Sequence, residues 1–226
     1  MKRIFGFIAA LALIATSLGT SPAVSATPKV NPPTCAKSTA LPHTPIKVIQ
    51  PSKNLKVLPH TITFTTNCGD IVVETVGNKA PVTITALTAL ARAGYFNQTL
   101  CHRLTTQGLF VLQCGDPTAR GTGSPTGWKG YADENLPVGK PMTYPAGTVA
   151  MANSGPNTNG SQIFFVYGDS ALRANYTVWG KITSGLDILI SVASMGAVQP
   201  DGKGKYVYAG DGYPVQLVAI EKVTAK

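Results

Sequence analysis

The chain has 226 residues, 44% of them hydrophobic, and a formal net charge of +9. Its length suffices to bury a hydrophobic core without metals or staples. The charge is uneven: residues 27–60 carry Lys29, Lys37, Lys47, Lys53 and Lys56 and no acid, whereas residues 61–226 hold 12 Lys/Arg against 10 Asp/Glu, a net of +2. A nucleic-acid-binding protein would need a basic face on its folded part, and the sequence offers little sign of one.

The N-terminus comes first. Lys2-Arg3 is a positive start, Ile4 to Leu18 is apolar, and Val24-Ser25-Ala26 is a small-x-small site. Together they read as a signal peptide over residues 1–26, and hence as a protein secreted or held at the cell envelope. A membrane anchor is the other reading, but the apolar run is short for a bilayer span. Pro33-Thr34-Cys35 lacks the small and apolar residues of a lipoprotein cleavage site. No membrane contact is therefore expected once the leader is removed. Residues 27–60, rich in Pro, Thr, Ser and Lys, read as an extended linker. Ile46-Lys47-Val48-Ile49 is apolar enough for part of it to pack on the domain.

From Thr61 the pattern changes, and residues 61–226 read as one domain. Thr61 to Thr65 alternates with period 2, Asn67-Cys68-Gly69-Asp70 reads as a turn, and Ile71 to Thr75 follows as a second strand. Ala80-Pro81 opens a helix that ends before Gly94, with Val82, Leu87, Leu90 and Ala91 on its buried face. Strands are expected near 100–105, 110–114, 148–152, 162–167 and 177–183. Leu186 to Met195 reads as a second helix closed by Gly196, and Val215 to Ile220 as a last strand. Many short strands, Gly/Pro loops and two helices suggest an all-β fold, a closed barrel capped by helices.

One constellation is dense. It runs through Cys101-His102-Arg103-Leu104, then Phe110-Val111-Leu112-Gln113-Cys114-Gly115-Asp116, then Met151-Ala152-Asn153. It continues with Asn157-Thr158-Asn159-Gly160-Ser161-Gln162-Ile163-Phe164-Phe165 and ends with Tyr176-Thr177-Val178-Trp179-Gly180-Lys181. The order and spacing of these blocks resemble the cyclophilin-type peptidyl-prolyl cis-trans isomerases. The resemblance spans roughly residues 61 to 225. It implies an eight-stranded antiparallel β-barrel covered by two helices. It also implies an isomerase of Xaa-Pro bonds that needs no cofactor and no metal. Its partners would be proline-containing segments of unfolded or folding proteins, and it would act as a monomer.

The resemblance also assigns residues. Arg103 matches the catalytic arginine, and Gln113 matches the glutamine that holds it. Phe110, Val111, Phe164 and Leu172 match the apolar pocket for the proline ring. Ala152 and Asn153 match the stretch that bonds the peptide backbone. Tyr176 takes a place often held by His, and Gly121-Thr122 matches a loop beside the groove. His102 is expected to be structural, satisfied by neighbouring hydrogen bonds.

Three departures stand out. Arg103 and Gln113 lie ten positions apart where the family's usual spacing is eight. Ala171 precedes Leu172 where cyclosporin-sensitive members carry Trp. Cys101 and Cys114 occupy places often held by Phe and Gly.

Gly168-Asp169-Ser170 imitates the opening of a hydrolase motif, but that chemistry needs a general base. His43, His60 and His102 all lie upstream of it, which excludes a hydrolase with a C-terminal catalytic His. A second function class stays open: a proline-peptide-binding module or chaperone on the same fold, without turnover.

The four cysteines of the exported chain allow three pairings, and no spacing among them suits a metal. Cys101 and Cys114 stand on consecutive strands joined by a short turn, which favours Cys101–Cys114 and leaves Cys35–Cys68 to tie the linker to the first hairpin. Strand parity argues against the first pair, because Cys101 shares a face with Arg103 while Cys114 follows Gln113. That bridge requires a bulge or an irregular strand end.

Overall fold

The computed structural model describes residues 34–138 and 143–226. The expected signal peptide lies outside the described residues, as does the start of the linker. The fold is mostly β with two α-helices. In chain order it comprises β1 (Thr61–Thr66), β2 (Gly69–Thr75), α1 (Pro81–Arg92), β3 (Thr99–Leu100), β4 (Arg103–Gln107) and β5 (Leu109–Cys114). Then come β6 (Thr143–Tyr144), β7 (Thr148–Met151), β8 (Ile163–Val166), β9 (Ser170–Ala171), β10 (Val178–Ser184) and α2 (Leu186–Ser194). The chain finishes with β11 (Ala197–Pro200), β12 (Tyr206–Ala209), β13 (Asp211–Pro214) and β14 (Ala219–Ala225).

Twelve strands form one antiparallel ladder in the order β12-β11-β13-β4-β5-β8-β7-β10-β2-β1-β14-β3. The ladder has two ends, so hydrogen bonding between strands does not close the eight-stranded barrel expected from the sequence. The reason lies at Cys101-His102, between β3 and β4. Cys101 N–H donates to Val218 O on one side and His102 N–H to Gln113 O on the other, at 2.9 and 3.0 Å. Two irregular residues thus span the seam where a strand would be needed.

The core fills the space behind the ladder. Phe64 sits against Phe96, Phe165 and Trp179, with ring centroids 6.4, 5.3 and 6.3 Å away. All four rings are buried. Helix α1 begins at Pro81, where a missing N–H costs nothing. Its first turn holds no acid of its own. The carboxylate of Glu134 accepts instead from Val82 N–H, Thr83 N–H and Thr83 Oγ1, at 3.0, 2.8 and 2.8 Å. This satisfies donors that the helix leaves open.

Residues 34–60 form neither helix nor strand, yet they are fastened to the domain at intervals. Ala36 N–H donates to Asn67 O at 2.8 Å and His43 N–H to Pro117 O at 2.8 Å. Trp128 Nε1 donates to Val48 O at 2.8 Å, and Leu55 N–H to Thr85 Oγ1 at 3.0 Å. A disulfide joins Cys35 to Cys68 in the turn between β1 and β2.

A second disulfide joins Cys101 to Cys114. The parity objection fails because Cys101 precedes β4 and lies in the irregular seam. Its direction is not set by the alternation that governs Arg103.

One further expectation needs correction. The last strand runs Ala219–Ala225 rather than from Val215 to Ile220. Val215 and Leu217 are exposed, while Ile220 and Val223 are buried. The apolar run was thus the approach to the strand rather than its body. The meander β11–β13 was not foreseen at all.

Candidate active site

Strands β4 and β5 form a regular hairpin, with Gly108 at φ 70° in its turn. Five residue pairs face each other, from Arg103 opposite Gln113 to Gln107 opposite Leu109. Arg103 is therefore fixed opposite Gln113, and its Nη1 donates to Gln113 Oε1 at 3.3 Å. On the other side of β4 runs β13, with Asp211 opposite Thr105. Asp211 accepts from Arg103 Nε at 2.8 Å and Nη2 at 2.7 Å, a two-pronged bond that sets the guanidinium plane. This bond raises the pKa of Arg103. It also holds the Asp211 carboxyl below the usual carboxylate range.

A chain of amides continues from Gln113. Its Nε2 donates to Gln162 Oε1 at 2.9 Å. Gln162 Nε2 donates in turn to Gly121 O and Gly123 O, at 3.0 and 2.9 Å. The loop carrying these carbonyls is organised by buried Asp116. Asp116 accepts from Thr118 N–H and Oγ1, Arg120 N–H and Gly123 N–H, at 2.8, 2.8, 3.2 and 2.8 Å. Burial pushes its carboxyl up, but the bonds from Gly123 and Thr118 outweigh it and the net shift is downward. A Cβ at Gly123 would collide with this carboxylate.

Two cavities that share Ala152 and Asn153 flank Gln113, and a third hollow adjoins it on the Asp211 side. One, of about 190 Å³, is lined by Arg103, Leu109, Val111, Gln113, Ala152, Asn153, Phe164, Leu172 and Tyr176. Phe164 and Tyr176 meet edge to face there, 5.4 Å between centroids. Buried Val111 and Phe164 form its apolar part, and Arg103, Gln113 and Asn153 supply the polar groups that a small-ligand pocket needs. The other cavity, of about 100 Å³, lies beside Thr122 and shares Gln113, Ala152 and Asn153. Ala152 N–H is already given to Gln162 O at 2.9 Å, and Asn153 Nδ2 donates to Asn175 O at 2.8 Å. Ala171 is exposed at the end of β9, next to Leu172.

The structure thus gathers Arg103, Val111, Gln113, Ala152, Asn153, Phe164, Leu172 and Tyr176 around one cavity, with Thr122 beside the second. Phe110 is the exception and does not line either. In a regular hairpin alternate residues face opposite ways, so Leu109, Val111 and Gln113 face the cavity and Phe110 faces away. Its ring packs against Tyr167 at 5.9 Å instead.

His102 also differs from expectation. The ring is buried, and neither ring nitrogen has a hydrogen-bond partner among the described residues. Burial is the main reason its pKa falls below 6.5, against the opposite pull of Asp116.

Sequence reasoning missed Leu109, Gln162 and Asp211. Leu109 was recoverable, being four residues before Gln113 and so on the same face. Gln162 stood inside a matched block. Asp211 carried no local signal, because its strand was not foreseen.

Residues 61–225 match the family model described as cyclophilin type peptidyl-prolyl cis-trans isomerase/CLD. This chain belongs to that family. Among curated cyclophilin-type relatives, the "Probable peptidyl-prolyl cis-trans isomerase B" of Mycobacterium tuberculosis is 39% identical over 203 residues, covering 80% of this chain and 62% of that protein. The protein of the same name from Mycobacterium leprae is 42% identical over 192 residues, covering 78% of this chain and 62% of that protein. The chain therefore spans less than two thirds of the length of these mycobacterial relatives. A solved cyclophilin-type isomerase of Cryptosporidium parvum superposes with TM-score 0.58 at 24% identity, covering 74% of this chain and 98% of that one. The likeness establishes the cyclophilin fold. The same protein in the presence of the dipeptide Ala-Pro gives TM-score 0.57.

Proposed function

We propose that this chain is a peptidyl-prolyl cis-trans isomerase acting on exported polypeptides. The observation that carries the reading is Arg103. Its guanidinium stands at the rim of the cavity floored by Val111, Phe164 and Leu172, locked between Asp211 and Gln113. Family membership supports the same reading.

The mechanism follows from the bond being rotated. The amide C–N bond resists twisting by about 18–20 kcal/mol because of its partial double-bond character. Twisting ends the conjugation and leaves a lone pair on the proline nitrogen. The apolar cavity receives the proline ring, with Leu109 completing the wall in the place assigned to Phe110. Arg103, charged at any working pH, offers a fixed donor to the twisted amide. Asp211 and Gln113 are positioning residues that prepay the ordering of this side chain, so the donor is stronger for the twisted form than for either planar form. Ala152, Asn153, Tyr176 and Thr122 border the path of the flanking peptide. Nothing in this scheme calls for a nucleophile, a metal or a cofactor.

The site of action is read as extracytoplasmic. Residues 1–26 have the pattern of a cleaved leader, and two disulfides suit an oxidising compartment. Uncatalysed prolyl isomerisation takes roughly 10–100 s, slow enough to limit folding there. We read residues 34–60 as a strap rather than a free tether. The eight strands from β4 to β14 are read as a barrel, its last seam spanned by residues 101–102. The working unit is a monomer.

The test is a proline-peptide isomerisation assay on the wild type and on Arg103→Ala and Arg103→Lys. Arg103→Ala should lose most activity while keeping its fold, since this side chain is 40% exposed. Arg103→Lys should recover little, because a point charge cannot copy the guanidinium fork. Wild-type turnover by Arg103→Ala would overturn the mechanism. Binding of proline peptides without turnover by the wild type would favour the adaptor class instead.

A further inference from the structure

The meander β11–β13 is an addition outside the eight central strands, and its surface is unusual. Tyr206, Tyr208 and Tyr213 are 64%, 77% and 42% exposed. The pairing register fixes where they point. Asp211 lies opposite Thr105 and Gly212 opposite Leu104. Continued by one residue, this register sets Tyr213 opposite Arg103. Val198 lies opposite both Tyr213 and Tyr208, and Pro200 opposite Tyr206. Directly opposed residues share a face. The three tyrosines and Val198 therefore stand on the same face of the sheet as Arg103. Tyr206 and Tyr213 meet edge to face at 6.4 Å.

This shelf joins the catalytic site. A groove of about 560 Å³ runs from Arg103 and Gln113 past Arg120 and Gly121 to Asp211 and Tyr213. It opens on the side of Arg103 that carries the meander. Among the described residues, the one ion pair at the junction is Arg103 with Asp211, whose charges offset each other; Arg120 also lines the groove. Beyond that pair Tyr213, Val198, Tyr208 and Tyr206 make an aromatic and apolar face, with the charged turn Asp201–Lys205 at its far end. Strand β12 is one end of the ladder, so its outer edge is unpaired among the described residues.

We propose that the tyrosine shelf binds the polypeptide flanking the proline, as an extended unfolded segment carrying apolar or aromatic side chains. The inference rests on the isomerase reading, because it takes the occupant of the shelf to be the chain whose proline fills the cavity. Continuity of groove and shelf argues for that occupant over an unrelated partner. Exposed tyrosine suits unfolded chains, since it offers large rigid contact area at low entropy cost. Reach gives a discriminating condition. From β4 across β13 and β11 to β12 is three inter-strand spacings, about 14 Å. An extended client spans roughly 3.3 Å per residue. It must continue about four or five residues beyond the proline to touch Tyr208, which a tetrapeptide does not do.

The experiment compares wild type, Tyr206→Ser/Tyr208→Ser, and Val207→Ser as a control on the opposite face of the same strand. Each is assayed on a proline tetrapeptide and on proline-limited refolding of a protein. Binding of a fluorescent, permanently unfolded carboxymethylated polypeptide is measured by anisotropy. The tyrosine variant should keep tetrapeptide kcat/KM within about twofold while its KM for the refolding chain and its Kd for the unfolded chain rise about tenfold, two aromatic contacts being lost. Val207→Ser should match wild type throughout. Equal effects on both substrates, or an unchanged Kd, would overturn the proposal. So would sedimentation showing a wild-type dimer that the tyrosine variant dissolves, since the shelf would then serve a second copy. A wild type inactive on tetrapeptides would sink the isomerase reading, while the anisotropy would still decide whether the shelf binds unfolded chain.

Discussion

Asp211→Ala separates the orientation of Arg103 from its presence. Both partners are substantially exposed, 40% for Arg103 and 55% for Asp211. An ion pair so placed contributes no more than about 1 kcal/mol to folding, so the variant should unfold within a few degrees of wild type. Catalysis should suffer more. An arginine side chain carries about 2 kcal/mol of rotamer entropy. Asp211 holds two of the guanidinium's donors, and Gln113 at 3.3 Å holds a third less tightly. Most of the ordering must then be supplied in the transition state. A loss of about 1–2 kcal/mol corresponds to about 5- to 30-fold in kcat/KM. Asp211→Asn keeps an acceptor but also presents an amide donor to the guanidinium, and should fall between. The assay is tetrapeptide isomerisation, repeated in an Arg103→Ala background. There Asp211→Ala should do nothing further, because coupled residues are not additive. Because Arg103 holds the Asp211 carboxyl below its ordinary 3.8, the pair survives above that value and is lost only as pH falls below it. Activity should show no step from this group between neutral pH and about 4. Wild-type kcat/KM for Asp211→Ala, or an equal loss with and without Arg103, would refute the positioning role.

Two further outcomes follow from the buried groups and the bridges. His102 is held below 6.5, chiefly by burial. The unfolded chain therefore takes up its proton first, and the stability present above pH 6.5 is lost as pH falls toward and through the folded value, at no more than about 1.4 kcal/mol per pH unit. His102→Gln should flatten the melting temperature between pH 7 and 5, and an unchanged slope would contradict the assignment. Replacing Cys35 and Cys68 by Ser opens a separation of 33 residues, and replacing Cys101 and Cys114 one of 13. The chain-entropy costs are about 4 and about 3 kcal/mol. Guanidinium unfolding should show both, but kcat/KM should fall only for the second pair, whose cysteines adjoin the strand ends carrying Arg103 and Gln113.

The parts of this molecule that were legible in its sequence are those whose signal is local. Pro81 and Gly94 bracket α1 because helix ends have their own chemistry. Alternation over Thr61–Thr65, the turn Asn67–Asp70 and the β-rich run Ile71–Thr75 give the first hairpin. The motif blocks around Arg103, Asn153 and Phe164 lie on strands that meet at one cavity, so a one-dimensional pattern sufficed to find it. The meander β11–β13 was hidden for a physical reason. Its strands bury little, and Tyr206, Val207 and Tyr208 are all exposed, so no in-out alternation marks them. Glycines at 202, 204 and 210 read only as loop. Asp211 was lost with it. Strand parity does not govern the second disulfide, because the two irregular residues Cys101-His102 between β3 and β4 reset the alternation that Arg103 follows.

Phe110 is where the pattern misled, and the hairpin says why. Ten positions separate Arg103 from Gln113 where the family's usual spacing is eight, and the difference is even. Two extra residues lengthen β4 and β5 by one pair and leave Arg103 opposite Gln113. The added length makes the hairpin regular down to Gln107 opposite Leu109, closed by Gly108 in a conformation that other residues adopt at a cost. Regularity forces strict alternation. Leu109 then takes the cavity wall, and Phe110 is turned onto Tyr167 and Gly168. The two substitutions should therefore fail differently. Leu109→Ala removes a half-buried side chain from the cavity, so about 1–1.5 kcal/mol of substrate contact is lost. KM should rise about 5- to 10-fold, kcat should hold, and stability should change little. Phe110→Ala strips a partly buried ring from its contact with Tyr167 and should cost about 2–3 kcal/mol of stability, with kcat/KM nearly intact. Steady-state kinetics beside denaturant unfolding separates the two. A large loss of kcat/KM from Phe110→Ala at unchanged stability, with no kinetic effect from Leu109→Ala, would mean that the strand turns its other face to the substrate.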